Sequence, residues 1–117
     1  MGASVVHWEI VGRDANKLHA FYSELFDWKI NSDNPMRYGL VEAQKDGAIG
    51  GGIGQADEGQ TGHVTFYVEV DDPEDYLKRV EKLGGKTIVP VTEIPNMVTF
   101  ALFADPEGHM VGLVKSA

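Results

Sequence analysis

VHWEIVGRDANKLHAFYSELFDWKI (residues 6–30) is answered fifty-eight residues later by VTFYVEVDDPEDYLKRVEKLGGKTI (residues 64–88). Few letters agree, but the apolar skeletons coincide. Val6 falls on Val64, Trp8 on Phe66, Ile10 on Val68, Leu18 on Tyr76, Tyr22 on Val80, Leu25 on Leu83 and Ile30 on Ile88. One polar marker travels with them, since Asp14 falls on Asp72. A repeat of this length is one supersecondary unit used twice. Each copy opens with the two-residue alternation of a strand and passes into the three-and-four spacing of an amphipathic helix.

The first copy predicts a strand over Val5 to Val11, with Trp8 and Ile10 on one face and His7, Glu9 and Val11 on the other. Asp14 caps a helix over Ala15 to Phe26, whose inner stripe is Leu18, Phe21, Tyr22, Leu25 and Phe26. Strands follow over Trp28 to Ile30, Met36 to Ala43 and Ala48 to Gly54. The last contains Gly50-Gly51-Gly52, a composition that marks a close approach or a space kept open. Gln55 to Gly62 is a polar linker.

The second copy predicts strands over His63 to Val70, Lys86 to Val89, Val98 to Ala104 and His109 to Lys115. Its helix starts at the Asp72-Pro73 cap and stops at Gly84-Gly85. Pro90 to Pro95 reads as a loop and Asp105-Pro106-Glu107-Gly108 as a tight turn. The fold class is therefore α+β, with two βαβββ modules (4–54 and 63–117) in a single domain.

At 117 residues there is room for one domain, and 43% apolar with 24% charged residues is ordinary for a globular chain. The absence of cysteine excludes disulfides, thiolate metal sites and cysteine nucleophiles, and is compatible with the cytoplasmic location expected here. A net charge of −8 without any Lys/Arg cluster argues against nucleic-acid or membrane partners. No stretch is long and apolar enough to span a bilayer, and the start, Met1-Gly2-Ala3-Ser4, shows no signal core. There is no Ser-His-Asp order, calcium loop or HExxH helix, and the glycine run lacks the Lys-Ser/Thr of a phosphate loop.

The run His7-Trp8-Glu9-Ile10, Asp14, Phe21-Tyr22 and Leu25-Phe26-Asp27-Trp28 resembles the opening of the vicinal oxygen chelate superfamily. That group includes glyoxalase I, extradiol dioxygenases, fosfomycin-modifying enzymes and bleomycin-binding proteins. Asp105-Pro106-Glu107-Gly108 before an apolar strand is similar to its closing signature. The resemblance implies an open, curled, eight-stranded mixed sheet around a cavity, two helices outside it, and a homodimer. In the enzymes of the family it also implies a divalent metal, held by His, Glu or Gln side chains on the first and last strands of each module.

Set against that pattern, His7 stands at the first ligand position. Its counterpart in the second module is Thr65, and His63 lies two residues too early. The terminal positions fall on Gly112 and within Gly50-Gly51-Gly52. The expectation is thus no cofactor and no family-type metal, with His7 and His63 as the fallback ligands. The polar anchors expected are His7, Glu9, Thr65 and Tyr67, joined by Phe100 and Met110 as further ligand contacts. Trp28 and Tyr38 belong to the same contact list, Trp8 and Phe66 to the core, and His19 to the solvent side of its helix. His109 is expected to bond the backbone of its turn.

Three functions stay open. One is capture of a small apolar or aromatic molecule between the modules. Another is an enzyme: a metal-dependent lyase or dioxygenase using His7 and displaced ligands, or a metal-independent isomerase with His7 and Glu9 as acid–base pair. The third is a structural or interaction role, if side chains fill the cavity.

Overall fold

The computed structural model describes residues 2–117; Met1, the first residue of the start inspected for a targeting signal, lies outside them. The fold class is α+β, with strands of mixed direction and two helices among the described residues. None of the described helices is long and apolar enough to cross a membrane. Tertiary contacts divide the chain into two compact units, His7–Val64 and Thr65–Ala117, the latter joined by the chain up to Val6.

The first unit contains β1 (Ser4–Gly12, entering the unit at His7), α1 (Ala15–Phe26), β2 (Ile30–Asn31), β3 (Gly39–Val41) and β4 (Gly51–Gln55). β1 runs parallel to β4, bringing Trp8 opposite Gly51, Glu9 opposite Gly52 and Ile10 opposite Ile53. β3 pairs antiparallel with β4, and β2 with β3. The helix begins where its cap dictates: the Asp14 carboxylate accepts from the Lys17 amide at 3.1 Å. It ends at Asp27, whose φ of 59° breaks the helical path.

The second unit contains β5 (His63–Val70, within the unit from Thr65), α2 (Pro73–Lys82), β6 (Lys86–Ile94), β7 (Val98–Ala104) and β8 (Met110–Lys115). The plan repeats: β5 runs parallel to β8, placing Tyr67 opposite Gly112, while β8–β7 and β7–β6 are antiparallel. Asp72 caps α2 through the Asp75 amide at 3.3 Å. Val70, Leu77, Ala101 and Leu113 form the buried core here, with Val68, Tyr76, Val91 and Phe103 packed around them.

One expected loop is strand. β6 continues through Pro90 to Ile94 and the chain turns only at Pro95, with Asn96 at φ 64°. A proline lacks a ladder donor, which an edge strand tolerates. β6 is such an edge, and its register with β7 shifts between Val89 and Thr92 to accommodate the ring.

Candidate functional site

Side chains on β1 alternate, so His7 and Glu9 share one face and Trp8 takes the other. On the Trp8 face, Trp28 stacks on Trp8 with centroids 4.9 Å apart, and Phe26 and Tyr22 join at 5.0 and 5.9 Å from Trp28. Trp28, expected as a ligand contact, therefore belongs to the aromatic packing under α1. Phe66, expected in the core, is 42% exposed. His19 is turned inward rather than to solvent: its Nε2 meets the Ile53 carbonyl at 3.1 Å.

The face carrying His7 and Glu9 holds a chain of hydrogen bonds, all within the first unit. His63 Nε2 lies 3.0 Å from Glu9 Oε1. The Tyr38 hydroxyl donates to Glu9 Oε2 at 2.8 Å, and His7 Nε2 meets the same phenol oxygen at 2.9 Å. Glu9 is buried, with 9% of its surface exposed, whereas the His63 side chain keeps 25%. Tyr38 has one proton and gives it to Glu9, so the bond from His7 must be an Nε2–H donation to the phenol oxygen. Neutral His7 therefore carries its proton on Nε2. Burial lowers its pKa below the usual value, an effect that the Glu9 charge partly opposes.

Tyr38 is held by several independent features. The Asn34 side chain accepts from the Tyr38 amide at 3.0 Å and donates to its carbonyl at 2.7 Å. Arg37, the residue before it, sits at φ 53°, a left-handed conformation costly for a side-chain-bearing residue. The ring lies on the glycines of β4, where a Cβ at Gly52 would come within 1.9 Å of Tyr38 Cε2. On the opposite face Trp8 covers Gly51 equally closely. The glycine run thus makes room for two aromatic rings, and does so on alternate sides of one strand.

In the second unit the Thr65 hydroxyl, buried, donates to the Met110 carbonyl at 2.5 Å. Met110 enters through its backbone. Tyr67 is buried with its ring against Gly112, the residue opposite it on β8. Phe100, half-buried on β7, pairs with Thr92 of β6 on one side and Val114 of β8 on the other. His109 bonds the Asp105 carboxylate at 3.1 Å rather than the turn backbone. The same carboxylate accepts from the Glu107 and His109 amides, and these bonds hold the Asp105 pKa below its ordinary value, the His109 amide first. Two surface hollows, of about 530 and 420 Å³, are lined by Arg13 with residues 55–60 and by residues 93–99 with the end of β8. Neither is lined by the His7–Tyr38–Glu9–His63 chain.

A resident divalent metal does not fit these residues. Among the described residues no three His, Asp or Glu side chains gather into a ligand set. Both Glu9 oxygens already accept hydrogen bonds, the Thr65 hydroxyl is committed to a carbonyl, and tyrosine rings cover Gly52 and Gly112. Sequence reasoning named His7, Glu9 and the displaced His63 but assigned no role to the Tyr38 hydroxyl. The available signal was the glycine pair Gly52 and Gly54, both of which the Tyr38 ring approaches.

Comparison with known proteins places this geometry in context. The family model for the glyoxalase-like domain matches residues 9–114. A glyoxylase-like domain-containing protein of Didymella fabae is 29% identical over 108 residues, covering 86% of this chain and 84% of its own. Among solved structures, a glyoxalase/bleomycin resistance protein/dioxygenase superfamily member from Vibrio splendidus superposes with a TM-score of 0.64 at 18% identity, covering 98% of this chain and 100% of the other. The methylmalonyl-CoA epimerase of Mycobacterium tuberculosis gives 0.67 at 16% identity, covering 97% and 87%. At such identities the likeness to the solved structures is one of fold.

Proposed function

We propose, from the premise that this chain belongs to the glyoxalase-like domain family, that it binds a small apolar or aromatic molecule without a resident metal. The binding surface is the first unit's His7–Tyr38–Glu9–His63 face. The observation that carries this reading is the state of Glu9: its two oxygens accept from His63 and Tyr38, so the carboxylate serves a hydrogen-bonded chain rather than an ion. Above it the His7 and Tyr38 rings lie nearly parallel, 23° apart with centroids at 6.1 Å, a flat surface against which another ring can pack. The imidazoles supply polar anchors at either end.

A second reading has its own support. His7 is held neutral by burial, and an imidazole neutral at working pH is a competent base. Linked to Glu9 through Tyr38, it suits a metal-independent isomerase in which a ligand proton passes to His7. The same reading includes a cytoplasmic homodimer with no nucleic-acid or membrane partner; α1 leaves Phe21, Leu25 and Phe26 more than half exposed, which favours self-association.

The test is a thermal-shift and calorimetric screen of aromatic ligands with chelator present. Under this proposal at least one ligand stabilises the native chain, and His7→Ala and Tyr38→Phe weaken that response. A ligand response that requires added metal, or that survives both substitutions, contradicts it.

A further inference from the structure

We infer that Glu9 and Tyr38 determine specificity by fixing where His7 and His63 carry their protons, which selects ring ligands that donate a hydrogen bond over rings that only accept one. The inference rests on the ring-binding reading above and adds the ligand's chemical class. A neutral imidazole has one N–H and one lone pair, so the bond made by one nitrogen decides what the other offers. His63 sets its Nε2 3.0 Å from Glu9 Oε1, and a carboxylate oxygen only accepts. Neutral His63 therefore carries its proton on Nε2 and its lone pair on Nδ1. His7 reaches the same state by a longer route. The Tyr38 hydroxyl gives its proton to Glu9 Oε2 at 2.8 Å, so the phenol oxygen accepts the His7 Nε2–H at 2.9 Å and the His7 lone pair lies on Nδ1. One buried carboxylate sets both tautomers.

A ligand group that meets either Nδ1 must then be a donor, a hydroxyl or an N–H. A carbonyl or ether oxygen would set lone pair against lone pair, and a polar mismatch discriminates more sharply than a difference in apolar fit. A carboxylate is refused for a second reason: Glu9 already holds a negative charge beside His63, and the chain as a whole carries −8. The His63 side chain keeps 25% of its surface exposed, so a ligand can reach it. The class that fits is a small neutral ring bearing a hydroxyl or amino group. Its recognition is built in before it arrives, since the Asn34 clamp on the Tyr38 backbone and the seat on Gly52 hold the phenol in place. A phenylalanine would fill the same space over Gly52 but would let the His7 proton sit on either nitrogen.

The experiment records long-range proton–nitrogen NMR correlations of the imidazoles in the native protein and in Tyr38→Phe, in buffer well to the alkaline side of the ordinary imidazole pKa. Phenol, anisole and benzoate are then titrated while the His7 and His63 resonances are followed. Both native rings should show the Nε2–H pattern. Phenol should bind on the order of tenfold more tightly than anisole, the worth of one hydrogen bond, and benzoate no better than anisole. In Tyr38→Phe, His7 should show mixed tautomers and the phenol-to-anisole ratio should fall, while the His63 pattern stays. A tyrosine that only filled space would change neither. An Nδ1–H pattern on either native ring, anisole or benzoate matching phenol, phenol shifting neither ring, or a folded Tyr38→Phe with unchanged tautomers and ratio overturns the inference. If Tyr38→Phe does not fold, the native tautomers and the native phenol-to-anisole ratio decide alone. The ring-binding reading itself falls only if the wider aromatic screen is empty as well.

Discussion

Tyr38 joins two groups that the strand alternation of β1 had already placed on one face. Replacing it with phenylalanine keeps the ring on Gly52 but leaves the His7 donor and one Glu9 oxygen without their shared partner. A loss of about 1–2 kcal/mol is expected, the usual worth of hydrogen bonds of this kind. Urea unfolding of Tyr38→Phe measures it, and a change within error would mean the hydroxyl contributes nothing. His7 carries the pH dependence. Its folded pKa lies below the ordinary 6.5, while the unfolded chain protonates at that value. Between the two the unfolded state holds more protons, so stability is complete above pH 6.5 and falls as the pH drops towards the folded pKa. Urea midpoints of native and His7→Ala chains across that window should converge if His7 is the source, the native chain losing stability faster on acidification.

At the scale of elements, the glycines of β4 are legible only together with the rings that cover them. The Gly52→Ala methyl would meet Tyr38 at 1.9 Å, and such overpacking costs about 1–3 kcal/mol. In a Tyr38→Ala background the same change should cost far less, and that non-additivity in a double-mutant cycle identifies the pair. The helix caps make a simpler case: Asp14→Ala and Asp72→Ala are each expected to lower stability by about 1 kcal/mol, read from thermal or urea melts. These caps and the alternation of β5 were readable from the chain, because each depends on residues close in sequence; the expected inner stripe of α1 was only partly so, since Phe21, Leu25 and Phe26 are more than half exposed. The extension of β6 through Pro90 was not, since tolerance of a proline depends on the strand being an edge. Nor was the inward turn of His19, whose partner is the carbonyl of Ile53, a residue of β4.

For the molecule as a whole, the repeat predicted the order βαβββ twice, and both units show it, each with its first strand parallel to its last. The position on the last strand opposite Glu9 in one unit and Tyr67 in the other is glycine in both, and each is covered by a tyrosine. The tyrosines come from different places. Tyr67 lies directly across the ladder, whereas Tyr38 arrives from the segment before β3. This is why the glycine positions could be located from spacing while the ring that covers Gly52 could not: spacing locates positions on a strand, and Tyr38 reaches Gly52 through a clamp, a left-handed turn and an absent Cβ. Family membership fixes the frame in which these residues act. The proposed binding face is made by His7, Glu9, Tyr38 and His63.

The most direct test of the metal-free hydrogen-bonded chain is anomalous diffraction from crystals of the native protein soaked in Zn²⁺. No anomalous peak is expected near His7, Glu9 and His63, with the Tyr38 oxygen in density between His7 and Glu9. A peak at coordination distance from His7 Nε2 and a Glu9 oxygen, with the Tyr38 ring swung away, would contradict it.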